Sequence, residues 1–104
     1  MVDQVLTEVN VELAGNIYKM QPSFQALCAI ESAIDKPLHI LLKDFDSKGI
    51  LLNEQVKIIY HAVKAGGNIL SEDKIGEIIC QQGIGNSIKI ILSFLQKVIG
   101  VTNA

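Results

Sequence analysis

Hydrophobic and polar positions change their period once along this chain, and the change divides it into two parts. From Val5 to Leu13 the positions alternate, with Val5, Thr7, Val9, Val11 and Leu13 on one side and Glu8, Asn10 and Glu12 on the other. Period two with β-branched residues predicts a half-buried strand. Ala14-Gly15-Asn16 is a turn signal, and Ile17 to Met20 can return as a second strand with Tyr18 and Met20 on the core side. A lone two-stranded hairpin is marginal in water, so it must lie against something else.

After Gln21-Pro22-Ser23 the period becomes 3.6. Phe24, Leu27, Ile30 or Glu31, and Ile34 fall on one helical stripe, with Pro22 and Ser23 suited to its first turn. Asp35-Lys36-Pro37 breaks that helix. Leu38, Leu41, Leu42 and Phe45 give the next face, closed by Ser47-Lys48-Gly49. Asn53 is the expected N-cap of a third helix with Val56, Ile59, Tyr60 and Val63 inward and Lys57, His61 and Lys64 on its wet side. Gly66-Gly67-Asn68 stops it. Ser71 caps a fourth helix whose first turn holds Glu72 and Asp73, the favourable sign at a helix N-terminus, and whose buried side is Ile75, Ile78 and Ile79. Gly83 and Gly85 precede a last helix from about Asn86 to Ile99. The pattern predicts an α+β domain, mostly helical: an N-terminal β-hairpin followed by four or five short helices.

Composition narrows the function. At 104 residues there is room for one domain, spanning 1–104, with enough core to fold without disulfides or a structural metal. Apolar residues make up 49% but aromatics only 5%, so the core is built from Ile, Leu and Val. The net charge is −2, and all nine basic residues are Lys, spread singly. Nucleic-acid binding draws on clustered positive charge and on Arg for bidentate contacts, so that role is disfavoured. Cys28 and Cys80 stand far apart outside any CxxC pattern and read as buried thiols. Met1-Val2-Asp3-Gln4 lacks the basic and apolar regions of a signal peptide, and Ile84 to Val101 carries Asn86, Lys89, Gln96 and Lys97, a poor membrane span. A cytoplasmic protein without membrane contact is the expectation.

Several segments imitate chemistry, and each lacks a residue that its chemistry requires. Asp44-Phe45-Asp46-Ser47-Lys48-Gly49 echoes the opening of an EF-hand loop, but Lys48 puts a cation where an oxygen ligand is needed. Gln55 stands where a bidentate Glu belongs, with Glu54 one residue out of register. His39 and His61 have no Cys, His or carboxylate at metal-ligand spacing. Gly83-Ile84-Gly85 is not a phosphate loop, and no serine has the nucleophile-elbow context. Asn68 to Ser71 between two helices imitates a helix-turn-helix, yet Glu72, Asp73 and Glu77 would face phosphates with the wrong sign. No catalytic residue, cofactor or metal is expected, and an enzyme is disfavoured.

The last helix carries the positive signal. Lys89, Ser93, Gln96, Lys97 and Gly100 share a polar arc, and the remaining apolar arc covers about 200° at 100° per residue. A surface helix needs only about 100° to pack on its core. Either this helix is wedged among the others, or one flank, Ile90, Phe94 and Val101, is left for another chain. Glu31, near the apolar stripe of the first helix, is either a boundary carboxylate or a polar contact to the hairpin or a partner.

Taken in order, the motifs resemble the small tail-assembly chaperones of phages and gene transfer agents. They run Val11-x-Leu13-x-Gly15-x-x-Tyr18-x-Met20, then Phe24-x-Ala26-Leu27-x-x-Ile30-Glu31, then Gly49-x-Leu51 before the helix around Val56. Ala65-Gly66-Gly67-x-x-Leu70-Ser71-Glu72-Asp73 and Gly83 complete the set, covering about Val9 to Ile99. Family members are typically rich in Ala and Arg where this chain has Ile and Lys. The resemblance implies a non-catalytic factor of a tail-morphogenesis cluster that binds the tape-measure protein and helps recruit the tail-tube protein. It makes Ile90, Phe94, Val101, Tyr18 and Glu31 candidate partner contacts. A structural tail component of the particle and a small helical protein-binding adaptor are the alternatives, and self-association into a homo-oligomer is left open.

Overall fold

In a computed structural model, residues 9–99 of the chain are described. Two antiparallel strands, β1 (Val9–Leu13) and β2 (Asn16–Met20), precede five helices: α1 (Phe24–Ile34), α2 (Leu38–Ser47), α3 (Leu52–Ala65), α4 (Glu72–Gln82) and α5 (Ile84–Ile99). The fold is α+β and mostly helical, as the change of period predicts. Val5 and Thr7, the start of the expected first strand, lie outside the described residues.

The hairpin turns on two residues, Ala14 (φ 55°) and Gly15 (φ 82°), both left-handed, which is the geometry of a two-residue turn matched to strand twist. Register runs from Val9 opposite Met20 to Leu13 opposite Asn16. Val11, Leu13 and Met20 enter the core, and Tyr18 packs half-buried beside them. α3 supports the hairpin from below. The Gln21 N–H donates to Ala62 O at 3.0 Å, and Asn68 Nδ2 donates to Lys19 O at 3.3 Å. Gly66 lies so close to β2 that a Cβ there would collide with the Lys19 carbonyl.

Local chemistry sets the helix ends. Ser23 Oγ accepts from the Ala26 N–H at 3.1 Å and Ser71 Oγ from the Lys74 N–H at 3.0 Å, both ordinary N-caps. α1 ends at Asp35 in the left-handed region, φ 64°. α3 begins earlier than Asn53 suggests. Leu51 is its N-cap residue, and Glu54 Oε1, three positions on, accepts the Leu51 N–H at 3.0 Å. α5 likewise starts at Ile84 and not at Asn86, after a Gly83 break that sets it at 117° to α4. Among the described residues no single helix is long and apolar enough to cross a membrane.

The core is dominated by α3, α4 and α5. Ile58, Ile59, Ala62 and Val63 meet Ile75, Ile78 and Ile79 and then Ile91, Phe94 and Leu95. Ser87 Oγ donates to Gln55 Oε1 at 2.8 Å, so the buried polar pair between α3 and α5 is satisfied. Two sequence expectations are corrected in α1. Its buried stripe is Ala26, Ile30 and Ile34, and Phe24, 80% exposed, stands on the opposite face. Cys28 shares that exposed face, because two residues along a helix is a rotation of about 200°. Cys80, two residues beyond the buried Ile78, is exposed for the same reason.

Candidate functional site

α5 packs against α2, α3 and α4, and this central position accounts for most of its wide apolar arc. Phe94 is fully buried. It is therefore part of the core, so of the two readings of the wide arc the wedged helix holds, and Phe94 is corrected as a candidate partner contact. A helix with neighbours on three sides needs an arc broader than the single stripe of a surface helix. Val101 lies outside the described residues.

What α5 does leave open are its two edges. Along α2, Ile88 and Leu92 of α5 face Leu42 and Phe45 of α2, all four half-buried, across a groove of about 530 Å³. His39, Lys43, Asp46 and Gln96 rim it. Of the predicted stripe on α2, only Leu41 is fully buried, since a helix of ten residues touching α5 along one line cannot cover more. Leu42 and Phe45 are left at the margin.

Along the hairpin a second groove, about 710 Å³, separates β1 from α5. Val9 to Glu12 form one wall, and Asn86, Lys89, Ile90 and Ser93 the other, with Gln82 at the turn end. Gln82 Oε1 accepts the Ala14 N–H there at 2.6 Å. Ile90, half-buried, is thus on the β1 side of α5, away from the α2 groove.

The remaining candidates do not join either groove. Tyr18 lies on β2, packed half-buried on the core. Glu31 Oε2 accepts the Leu38 N–H at 2.9 Å, so it caps the start of α2. The four described residues among those named from sequence, Ile90, Phe94, Tyr18 and Glu31, do not form one surface. Missed were Leu42, Phe45, Ile88 and Leu92. Their signal in the sequence is a pair of apolar stripes broader than one packing line requires.

Electrostatics reinforce the fold more than either groove. Lys36 Nζ, between α1 and α2, reaches Asp44 at 3.1 Å and Glu54 at 3.4 Å. The hydrogen bond to Asp44 raises the Lys36 ammonium above its usual pKa; burial opposes it, and Glu54 adds to the rise. Asp44 is therefore a helical ion-pair partner, and neither it nor Asp46 sits in a loop, as a calcium site of the EF-hand kind would need. Among the described residues no three His, Cys, Asp or Glu come together to hold a metal. His61, edge-on to Tyr60 with ring centres 5.0 Å apart, has its pKa lowered by burial, with Glu72 opposing and Lys64 and Lys57 adding to the effect. No protein-family model matches the chain, and no curated protein or solved structure is significantly similar to it. The functional reading rests on these surfaces and on the ordered motifs.

Proposed function

We propose that this chain is a non-catalytic binding domain that takes the apolar face of a partner helix into the groove between α2 and α5. The observation that carries the reading is the floor of that groove. Four large apolar side chains, Leu42, Phe45, Ile88 and Leu92, stand half-buried between two helices with a charged rim of Lys43 and Asp46. Helix-in-groove recognition uses such a floor, filled by side chains spaced i, i+3, i+4 and i+7 on the partner. The rim adds orientation and little affinity.

The motifs from Val11 to Gly83 supply the biological setting. We read the chain as a cytoplasmic tail-assembly chaperone of the phage or gene-transfer-agent kind. It would cover repeated apolar helix faces of a tape-measure protein and help recruit tail-tube subunits. The hairpin-then-helices order agrees with that reading. A long helical protein is kept soluble when its apolar stripe is masked.

The test is co-expression with the tape-measure protein of the same gene cluster. The wild-type chain should co-purify with it, and Leu92→Asp should weaken binding by roughly 30-fold or more, as for a buried interface anchor. Circular dichroism should show the variant folded; Phe45→Asp, on the opposite wall, repeats the test from α2. Retention of the chain in purified particles would favour the structural tail component instead.

A further inference from the structure

The two edges of the hairpin are treated differently by the rest of the chain. A two-residue turn makes Leu13 and Asn16 a hydrogen-bonded pair, and the pattern then alternates. Main-chain groups of residues 17, 19 and 21 therefore point away from β1, and those of residues 10, 12 and 14 away from β2. On the β2 side that edge is occupied by the chain itself. Lys19 O accepts from Asn68, Gln21 N–H donates to Ala62, and Gly66 presses against the Lys19 carbonyl. On the β1 side Gln82 takes the Ala14 N–H, but among the described residues nothing pairs with the main chain of Asn10 or Glu12. These two residues open onto the β1–α5 groove.

We infer that the free edge of β1 pairs with β1 of a second copy, antiparallel about a two-fold axis at Val11. The strand is self-complementary in this register. Asn10 of each copy faces Glu12 of the other, both with main-chain groups turned outward, so the two such pairs supply four N–H···O bonds. On the exposed face each Glu12 carboxylate then lies beside an Asn10 amide, and no like charges are opposed. On the inner face Val11 meets its symmetry mate. Residues 9–13 hold no Pro, Lys or bulge, the usual guards of an unpaired edge. Because β2 is already covered, addition stops at four strands and the assembly closes as a dimer. A four-stranded sheet also relieves the marginality of a lone hairpin. This pairing is independent of the helix-binding groove, which lies on the other side of α5.

Amide hydrogen exchange on the full chain, at low and high protein concentration, tests the edge directly, with sedimentation reporting mass. Protection of the Asn10 and Glu12 amides that rises with concentration, together with dimer mass, is the expected result. Protection independent of concentration means the chain covers its own edge, and no protection at any concentration means the edge stays open; either overturns the dimer. Asn10→Glu sets two carboxylate pairs across the interface and should loosen the dimer about tenfold. Adding Glu12→Lys should restore it. Loss of the dimer without that rescue, or no loss with Asn10→Glu, overturns the register. Both positions are exposed, so the hairpin's fold is not at stake.

Discussion

On the α2 side of α5 the open surface is made of apolar side chains; on the β1 side it includes unpaired main chain. Leu42, Phe45, Ile88 and Leu92 offer apolar area with no hydrogen-bonding demand, which suits another helix. Asn10 and Glu12 offer directional donors and acceptors that only an extended segment satisfies, with Lys89 and Ser93 as a polar opposite wall. One helix thus separates two surfaces that select different secondary structure. Size does not decide between them, because the larger groove is the more polar one. The kind of group left unpaired does.

The strongest way to break this comparison is to remove the core side chain that seats α5, the helix bordering both surfaces. Phe94→Ala should cost about 3–5 kcal/mol, as for other buried Phe truncations, and thermal melts should show a correspondingly lowered transition. If Phe94→Ala melts like wild type, the packing of α5 described above is wrong. Gly66→Ala acts on the hairpin side alone. The new methyl meets the Lys19 carbonyl, and denaturant unfolding should report about 1–3 kcal/mol of destabilisation. Exchange protection should fall first in β2, while α2 keeps its place.

Glu31→Ala is the counterpart on the other side. Loss of the acceptor for the Leu38 N–H should cost about 1 kcal/mol and loosen the first turn of α2, hence the helix-binding groove, with the hairpin unaffected. The smallest effect belongs to neither groove. The folded His61 pKa lies below the ordinary 6.5, so the unfolded chain binds the proton more readily. Stability should be level above about pH 7, fall as pH drops through 6.5, and level off below the folded pKa. Melts of His61→Gln across the same range should lack that decline.

The sequence made the elements legible because each had a local cause. Alternation in β1, Ser71 as a cap, and Gly83 as a break are all found where the pattern predicts them. Phase within α1 was not legible. Phe24 and Ala26 compete for the inward position, and only the packing of α1 on α3 decides for the smaller residue. Nor does a helical wheel distinguish a helix wedged among three others from one with an exposed flank, so periodicity alone leaves Phe94 open between core and surface. The two glycines at 66 and 67 look alike in sequence but serve different needs. Gly67, at φ 94°, makes the turn, and Gly66 permits contact with β2. Contacts distant in sequence set the site, and periodicity does not encode them.

Backbone and methyl chemical-shift mapping, with a helical tape-measure segment titrated into the labelled chain, tests the central claim most directly. Perturbations centred on Leu42, Phe45, Ile88 and Leu92, with Asn10, Glu12 and Ile90 unmoved, are the predicted result. Shifts centred on β1 and Ile90, or none at saturating segment, would contradict it.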